Sequence, residues 1–528
     1  MMSRIIGKYG ALGSILFLLV TRIPFDLKPF HNVDEGVLAT LARTLLKGGL
    51  IYRDGWDHRG PLLSYVYAGI FYLFGQNNMV AVHLTTTLVI AAEAFLLYRC
   101  ARFFFEKQVA IAATFLFTFF STFGYSPSDT LAANLEIWMN LFILSSLSVF
   151  VKALKTDLRC HYFLTGLIMG LAALTKQVAY FLYPFLVLAL WFVYVWGRDE
   201  KREPVQTTTI GSLMIALGMF TPLVGILVYY GLRGAMGDFL SLYFSYNFYY
   251  LGSFYAPSID FNLVGRVARA LWNIVIVNFS PRRPLLLYGF SLVGFFAYLW
   301  RVRHLGLKVS SHPFPQLLFF FSWLFFSILP LLVLGRAFGH YFIQVLPVVS
   351  VVAAVFIIQL FQEVVRKPLG RSALAIPILF LLIYPAYHFM NEGPLQKDQL
   401  LDEVARYIQN RSNPEDSIFL WGWETELYVV ANRPNASRFI FCSFLTDQTP
   451  GGVKGPKKEG NLGYLNAIDL WSEDLHKQRP KFIIDSHQGH FFYGDYPLAR
   501  YPEIWHFIEN NYRIVTVIKN YVIYERVG

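Results

Sequence analysis

Long apolar segments recur along this chain and decide what it can fold into. A run of about 18 or more apolar residues is long enough to cross a bilayer as an α-helix. Hydrophobic residues make up 55% of the 528 positions and charged residues only 15%, a balance that predicts a membrane protein. The pattern predicts about eleven membrane-spanning helices. They lie near residues 9–24, 79–98, 108–124, 131–151, 161–175, 177–196, 207–230, 284–300, 315–334, 340–361 and 373–390.

Basic residues mark every second connection between these segments, as the positive-inside rule requires of cytoplasmic loops. They are Arg4 and Lys8; Arg99, Arg102 and Lys107; Lys152, Lys155 and Arg159; Arg198, Lys201 and Arg202; Arg301, Arg303 and Lys308; Arg366, Lys367 and Arg371. An odd number of segments then places the C-terminal region outside. The net charge of +11 follows from this topology. Because the basic residues are scattered over separate loops, no nucleic-acid partner is predicted.

The first apolar segment predicts a retained anchor. It is followed by TRIPFDLKPF, which lacks the small-residue cleavage site of a signal peptide. The three cysteines, Cys100, Cys160 and Cys442, are far apart in the chain. They predict neither a disulfide framework nor a metal site.

Two long outer loops separate apolar segments. In residues 25–78, HNVDEGVLATLARTLLKGG predicts an amphipathic helix closed by Gly48 and Gly49. Next, PLLSYVYAGIFYLFG is short for a membrane crossing and suits a helix lying in the membrane interface. Residues 231–283 are rich in tyrosine and phenylalanine, as in the aromatic belt at the lipid headgroups.

The composition becomes that of a soluble domain from about residue 391. LLDEVARYIQ and YPEIWHFIENN predict helices, and SIFLWGW, SRFIF, KFIIDS and YRIVTVIKNYVIYER predict strands. TDQTPGGVKGPKKEGNLG predicts a flexible loop. We therefore predict an α-helical polytopic membrane protein with interfacial helices in its outer loops. Residues 1–390 form the transmembrane domain, and residues 391–528 form a small extracytoplasmic α/β domain.

With this topology, the polar residues that could carry chemistry all fall on the outer side. They are Asp34, Glu35, His58 and Arg59 in the first outer loop, Glu136 near the start of the fourth segment, Lys176 in the turn after the fifth, and Arg336, His340 and Tyr341 between the ninth and tenth. Ionisable groups at membrane depth are costly, so each is a functional candidate. Their convergence on one face is the stronger observation.

Each of these residues also has a structural interpretation. Asp34 could cap a helix that begins at Glu35, and Lys176 could complement the dipole at a helix end. Arg59 and Arg336 could be interfacial charges. A lone histidine such as His340 is more often a hydrogen-bonded structural residue than a ligand. Glu136 lies inside an apolar helix and needs a partner, whereas Asp129, in the helix-start sequence SPSD, is a weaker candidate.

The residue types together point to one reaction. A carboxylate such as Asp34 would take a proton from an acceptor, and cations such as Arg59, Lys176 and Arg336 would stabilise a phosphate as it leaves. Inverting sugar transfer from a lipid phosphate needs one base and no protein nucleophile. Glycosidases need a second carboxyl because their leaving group is poor, and a phosphate leaving group removes that need.

The chain resembles the C superfamily of membrane glycosyltransferases. The similarity is to the bacterial branch related to protein O-mannosyltransferases and to the lipid A aminoarabinose transferase. The matching sequences, in family order, are HNVDEGVLA, WDHRGPLLSYVYAGIFYLFG, NLEIWMNLF, GLAALTKQ and GRAFGHYFIQVLP within residues 1–390, with WGWETELYVVANRPNASRF beyond them.

This resemblance implies a polyprenyl-phosphate sugar donor, used on the extracytoplasmic face of a bacterial inner or plasma membrane. It implies Asp34 as the catalytic acidic residue, Glu136 as a second acidic position, and Arg59 and Lys176 as contacts of the donor phosphate. His58 stands where the aminoarabinose transferase has a glutamate that takes part in metal binding. No metal or other cofactor is therefore predicted. The acceptor is a lipid, a glycan or a protein of the cell envelope.

Two other functions stay open from the sequence. A multi-pass transporter with an outer domain would place its ionisable residues near the midplane, on broken helices related by repeats, and no repeat is visible in this sequence. A ligase or polymerase acting on a lipid-linked oligosaccharide would share the general membrane architecture. Loss of sugar from a polyprenyl-phosphate monosaccharide would distinguish the transferase from both.

Overall fold

The computed structural model describes residues 2–196, 204–252, 314–334, 338–364, 399–446, 466–488 and 496–527, with the single positions 287, 289, 383, 387 and 494. Up to residue 364 the described helices are α1 (Met2–Asp26), α2 (Val33–Leu46), α3 (Leu62–Phe74), α4 (Met79–Phe104), α5 (Lys107–Phe123), α6 (Pro127–Thr130), α7 (Leu135–Thr156), α8 (Arg159–Thr175), α9 (Tyr183–Trp196), α10 (Pro204–Leu232), α11 (Met236–Leu240), α12 (Tyr246–Gly252), α13 (Phe314–Leu334) and α14 (Leu346–Val364). Segments of 3-10 helix, Gln177–Leu182 and Gly339–Val345, precede α9 and α14.

Two compact units divide the chain. The first comprises Met1–Leu27, Val82–Ile226 and Leu263–Leu395, and the second comprises Lys28–Ala81, Leu227–Asn262 and Gln396–Gly528. The first outer loop therefore shares a unit with the C-terminal residues. The division into a transmembrane domain and an extracytoplasmic domain at residues 390 and 391 stays a prediction.

Nine of the eleven predicted membrane segments coincide with helices among the described residues. In the part of the chain that the structure describes, five stretches are long and apolar enough to cross a membrane: Tyr9–Asp26, Met79–Phe104, Leu135–Thr156, Val205–Leu232 and Gly339–Gln359. Helix α5 and the stretch Leu318–Val333 of α13 are shorter and apolar. The predicted segments 284–300 and 373–390 lie outside the described residues, apart from four single positions. The protein is a polytopic helical membrane protein.

Glycines let two helices of the first unit approach closely. Gly166 and Gly170 form a small-xxx-small pair on α8, and a Cβ at Gly166 would lie 2.0 Å from the carbonyl oxygen of Ile215 on α10. A Cβ at Gly218 would likewise lie 2.0 Å from the carbonyl oxygen of Phe163. Small residues are favoured at such interfaces because membrane helices associate by close packing rather than by the hydrophobic effect.

Both helices predicted in the first outer loop are present. Helix α2 ends at Leu46 with Lys47 as its C-cap, and Gly48 follows with a positive φ of 83°, a conformation that glycine adopts without steric cost. Helix α3 begins after Pro61 and ends at Phe74, with Gly75 as its C-cap. Its last turn exposes Tyr72, Leu73 and Phe74 by 60% or more, as expected of a helix that rests on lipid.

The C-terminal residues of the second unit form a four-stranded sheet with the order β1-β2-β4-β3. The strands are β1 (Ile418–Trp421), β2 (Phe482–Asp485), β3 (Tyr512–Ile518) and β4 (Tyr521–Arg526), and the helices are α15 (Gln399–Gln409), α16 (Glu426–Val430), α17 (Ser443–Thr446), α18 (Ala467–Gln478) and α19 (Pro502–Asn511). Strand β1 pairs with β2 in parallel, and the β3–β4 hairpin adds to β2 antiparallel. Strands β1 and β2 are fully buried and supply the core of this domain.

One predicted strand is wrong. The sequence SRFIF forms no strand, because a side chain and a loop backbone, rather than a neighbouring strand, pair with the backbone of Arg438. Asp474 accepts hydrogen bonds from the backbone N–H of Arg438, at 2.9 Å, and from the hydroxyl of Ser437, at 3.0 Å. The carbonyl of Arg438 accepts from the N–H of Trp56 at 2.7 Å. The predicted flexible loop after Thr446 lies almost entirely outside the described residues.

Candidate functional site

The two adjacent carboxylates in the first outer loop have different environments. Helix α2 begins at Val33, and Asn32 is its N-cap: the Asn32 side chain accepts a hydrogen bond from the Glu35 N–H at 3.1 Å. The Glu35 carboxylate turns back to accept from the N–H groups of Asn32 and, at 2.7 Å, His31. This is a capping box. The interpretation of Asp34 as the cap of a helix beginning at Glu35 is therefore wrong, since Asn32 and Glu35 perform that function.

Asp34 is turned toward Arg59 instead. Its carboxylate lies 3.0 Å from Nη1 of Arg59, and its side chain is 29% exposed, whereas Glu35 is 1% exposed. Arg59 also donates from Nε to both oxygens of Asp57, at 2.9 and 3.0 Å. The guanidinium thus bridges two carboxylates in a fixed geometry that a lysine cannot reproduce. Asp34 is the carboxylate of the pair that an external molecule can reach.

Asp57 fixes the loop that carries Arg59. Its buried carboxylate accepts from the backbone N–H groups of His58 and Arg59, at 2.8 and 3.3 Å. The hydroxyl of Tyr52 donates to the Arg59 carbonyl at 2.8 Å. The His58 ring is partly exposed and lies against Tyr246, with ring centroids 5.3 Å apart. The sequence analysis did not select Asp57, although its position in WDHRGP, two residues from Arg59, could have indicated the contact.

A second cluster lies in the first unit. The ammonium of Lys176 pairs with the carboxylate of Glu136 and lies over the Tyr341 ring, 3.9 Å from its centroid. The Glu136 side chain is 1% exposed, and its Oε2 has no hydrogen-bond partner among the described residues. Lys176 directly follows the last residue of α8, so it does lie at a helix end, as the structural interpretation supposed. Its charge, however, is directed at Glu136.

His340 is held by Asp129 and also contacts Tyr341, with ring centroids 4.7 Å apart. Asp129 accepts from the His340 backbone N–H at 2.9 Å, and its Oδ1 lies 3.3 Å from the ring Nδ1. It thereby satisfies an N–H in the first turn of the 3-10 helix Gly339–Val345. This contact supports the structural interpretation of His340. The sequence could not reveal it, because the two residues are 211 positions apart. Arg336 lies outside the described residues.

Asp129 is expected to make stability sensitive to acid. Burial acts to raise the pKa of its carboxyl, but the hydrogen bonds and charge of His340 and the bond from Ser126 lower it below the ordinary value. A carboxyl whose pKa is lower in the folded state stabilises the fold above its unfolded pKa, about 3.9, and this stability is lost as pH falls through the folded value. Asp129→Asn should therefore show a smaller loss of melting temperature between pH 6 and pH 3 than the wild type.

Asp238 provides the control with the opposite sign. Burial raises the pKa of its carboxyl, so protonation of Asp238 favours the folded state as pH falls. Asp238→Asn removes this contribution and should therefore lose more melting temperature between pH 6 and pH 3 than the wild type. Melting temperatures in one detergent across this pH range test both variants. Equal pH profiles for Asp129→Asn and the wild type would contradict the prediction.

A buried arginine in α1 supports the segment that carries Asp129. Arg22 is fully buried and donates to the carbonyl oxygens of Ser121, Thr130 and Leu131, at 2.7 to 3.1 Å. Its Nε donates to Thr87 at 2.9 Å. A charge at this depth is tolerated because its donors are satisfied. The sequence analysis missed this residue, and only its position in an apolar helix could have drawn attention to it.

Within the described residues, no group of three or more histidine, cysteine, aspartate or glutamate side chains is arranged to hold a metal ion. The His58 ring lies beside the carboxylate of Asp57, with Nδ1 3.7 Å from Oδ1.

The protein is an integral membrane protein in which candidate carboxylates and cations form ion pairs. Arg59 pairs with Asp34 and Asp57, and Lys176 pairs with Glu136. Residues 58–226 match the family model described as dolichyl-phosphate-mannose-protein mannosyltransferase. The undecaprenyl phosphate-alpha-4-amino-4-deoxy-L-arabinose arabinosyl transferase of Erwinia tasmaniensis is 25% identical over 202 residues, which cover 37% of this chain and 36% of that protein. The match thus spans about a third of that relative.

Two solved structures are similar over most of the chain. ArnT from Cupriavidus metallidurans, bound to undecaprenyl phosphate, has a TM-score of 0.59 and 14% identity, with 98% of each chain covered. The oligosaccharyltransferase AglB from Archaeoglobus fulgidus, in complex with an inhibitory peptide and a dolichol-phosphate, has a TM-score of 0.55 and 12% identity, with 92% of this chain and 70% of that one covered. The chain shares the fold of these two structures, and the predicted resemblance is confirmed.

Proposed function

We propose that this protein is a membrane glycosyltransferase that moves a sugar from a polyprenyl-phosphate donor to an acceptor of the cell envelope, with Asp34 as the base. The observation that carries the proposal is the division between the adjacent carboxylates. Glu35 is buried, and its carboxylate accepts a hydrogen bond from the backbone just before α2, whereas Asp34 is partly exposed beside Arg59. A base must be reachable by the proton it removes, and Asp34 is the member of the pair that meets this requirement.

The reaction follows from these groups. Asp34 takes the proton of an acceptor hydroxyl as the hydroxyl oxygen attacks the anomeric carbon of the donor sugar. The bond between that carbon and the phosphate oxygen breaks, and polyprenyl phosphate leaves with the electron pair. Attack opposite the leaving group inverts the anomeric configuration. Arg59, beside Asp34, is the cation that stabilises the phosphate as it leaves. Lys176, which Glu136 holds in place, is a second candidate for this role from the family resemblance.

The relatives support a lipid-phosphate donor. The ArnT structure contains undecaprenyl phosphate, the AglB structure contains a dolichol-phosphate, and the matching family model is that of dolichyl-phosphate-mannose-protein mannosyltransferase. A polyprenyl chain suits a protein with apolar helices of membrane length. Whether the sugar is a hexose or a pentose, and whether the acceptor is a lipid, a glycan or a protein, is decided by the donor and acceptor tests below.

The proposal places the active site and residues 391–528 on the extracytoplasmic side, because basic loops alternate with the apolar segments. A reporter enzyme fused after residue 395 should be active only outside the cytoplasm. A matched fusion after residue 155, in a predicted cytoplasmic loop, should show the reverse. A fusion at residue 395 that is active only inside would overturn this orientation.

The decisive experiment uses purified protein in lipid nanodiscs. It is incubated with a panel of polyprenyl-monophosphate sugars crossed with envelope extracts, and released polyprenyl phosphate and labelled product are measured. We expect transfer from at least one donor, inverted anomeric configuration in the product, and transfer by Asp34→Asn that is lower by about 10²- to 10⁴-fold. Turnover only with a lipid-diphosphate oligosaccharide would favour a ligase. Transport of an intact substrate without loss of sugar would favour a transporter.

A further inference from the structure

The C-terminal domain contacts the helix that carries Asp34 within the second unit. The hydroxyl of Thr425, fully buried just before α16, donates to the carbonyl of Val33 at 2.6 Å. Val33 is the first residue of α2 and the direct neighbour of Asp34. This hydrogen bond therefore fixes the backbone at the point from which the Asp34 side chain emerges.

A glycine brings the two backbones together one residue beyond Glu35. A Cβ at Gly36 would lie 2.4 Å from the backbone nitrogen of Glu426 and 2.7 Å from the carbonyl carbon of Thr425. Backbone atoms cannot move aside as the end of a flexible side chain can. The first turn of α2 thus rests directly on residues 425–426, and only glycine permits this approach.

Two further contacts hold the same elements. At the other end of α2, the buried Arg43 donates from Nη1 to the carbonyl of Tyr428 at 2.5 Å, and burial lowers the pKa of Arg43 to about 10. In the loop leading to Arg59, the Trp56 ring lies 4.8 Å from that of Phe439, between ring centroids. Both segments that carry the Asp34–Arg59 pair are therefore supported by residues of the C-terminal domain.

We infer that the C-terminal domain sets the position of the catalytic base, and that Thr425 is the positioning residue through which it acts. The inference rests on the proposed function of Asp34. Proton transfer requires hydrogen-bond distance between base and acceptor, and a displacement of about 1 Å can reduce the rate by about 10²-fold. A contact that fixes the first turn of α2 thus controls turnover without touching the substrate.

Thr425→Val removes the hydroxyl and keeps the size of the side chain. We expect kcat to fall about fivefold, because α2 shifts by a fraction of an ångström, while the donor KM and the melting temperature stay close to wild type. Thr425→Ser restores the hydroxyl and should restore kcat. Thr114→Val is the matched control, because the buried Thr114 hydroxyl donates to the Ala110 carbonyl within a helix of the first unit.

Gly36→Ala tests the same contact by steric pressure. The new methyl group must push α2 away from residues 425–426, and we expect kcat to fall about 50-fold. Gly69→Ala is the control, because a Cβ at Gly69 on α3 meets no atom within 4 Å. That variant should keep full activity. If Gly36→Ala fails to fold, the two Thr425 variants decide the question.

The outcomes separate this inference from the proposed function. Reduced kcat in Thr425→Val with recovery in Thr425→Ser supports the positioning role. If Asp34→Asn is inactive while Thr425→Val and folded Gly36→Ala turn over normally, only the positioning role is overturned. If Asp34→Asn is fully active in the same assay, the proposed base is overturned and this inference with it.

Discussion

Asp34→Asn is expected to lose sugar transfer by about 10²- to 10⁴-fold, the contribution usual for a positioned general base. Asparagine has nearly the same size but cannot accept the proton of an acceptor hydroxyl. The fold should tolerate the change, because Asn32 and not Asp34 caps helix α2. The lost ion pair with Arg59 is partly exposed, so its contribution to stability is at most about 1 kcal/mol. Transfer of labelled sugar, together with donor binding and melting temperature, measures the effect.

Glu35 supplies the internal control for this experiment. Glu35→Gln keeps an oxygen that can accept from the N–H groups of His31 and Asn32, so we expect near-normal activity and a modest loss of stability. Glu35→Ala removes the capping box and should destabilise the protein by about 1 kcal/mol. An inactive Glu35→Gln beside an active Asp34→Asn would reverse the roles within the pair. Full activity in both variants would remove the proposed mechanism.

Lys176→Gln is expected to reduce transfer by about 10²- to 10³-fold, the loss found when one donor to a developing anion is removed. The single variant also leaves the buried Glu136 carboxylate without its cation, and an unpaired buried charge is strongly destabilising. Activity measured on Lys176→Gln alone would therefore mix two causes. Melting temperature and donor KM must be measured alongside kcat.

The double variant Glu136→Gln with Lys176→Gln separates the two causes. It removes both charges, so the melting temperature should recover most of what the single Lys176 variant loses. Transfer should stay low, because no cation replaces the lysine beside Tyr341. Recovery of transfer in the double variant would show that Lys176 serves only to neutralise Glu136. Persistent inactivity in a stable protein would support its contact with the donor phosphate.

Much of the fold was predictable from sequence because the bilayer imposes one simple requirement. A backbone in lipid must satisfy its hydrogen bonds internally, and it does so in apolar helices of a set length. The same kind of local rule predicted α2 with its closing glycines, α3 after Pro61, and strand structure in YRIVTVIKNYVIYER, which the structure divides into β3 and β4. The strand predicted for SRFIF failed because its β-like composition says nothing about Asp474, which satisfies its backbone instead.

The sequence by itself determined the class of fold, the apolar segments and the residue types that could carry the chemistry, since these depend on composition and local periodicity. Only the tertiary structure decided how those residues divide their roles. It turned Glu35 onto the backbone and Asp34 onto Arg59, paired Glu136 with Lys176, and joined Asp129 to His340. The reason is physical: a hydrogen bond or ion pair between residues distant in the chain depends on how the helices pack, and local sequence carries no record of that packing.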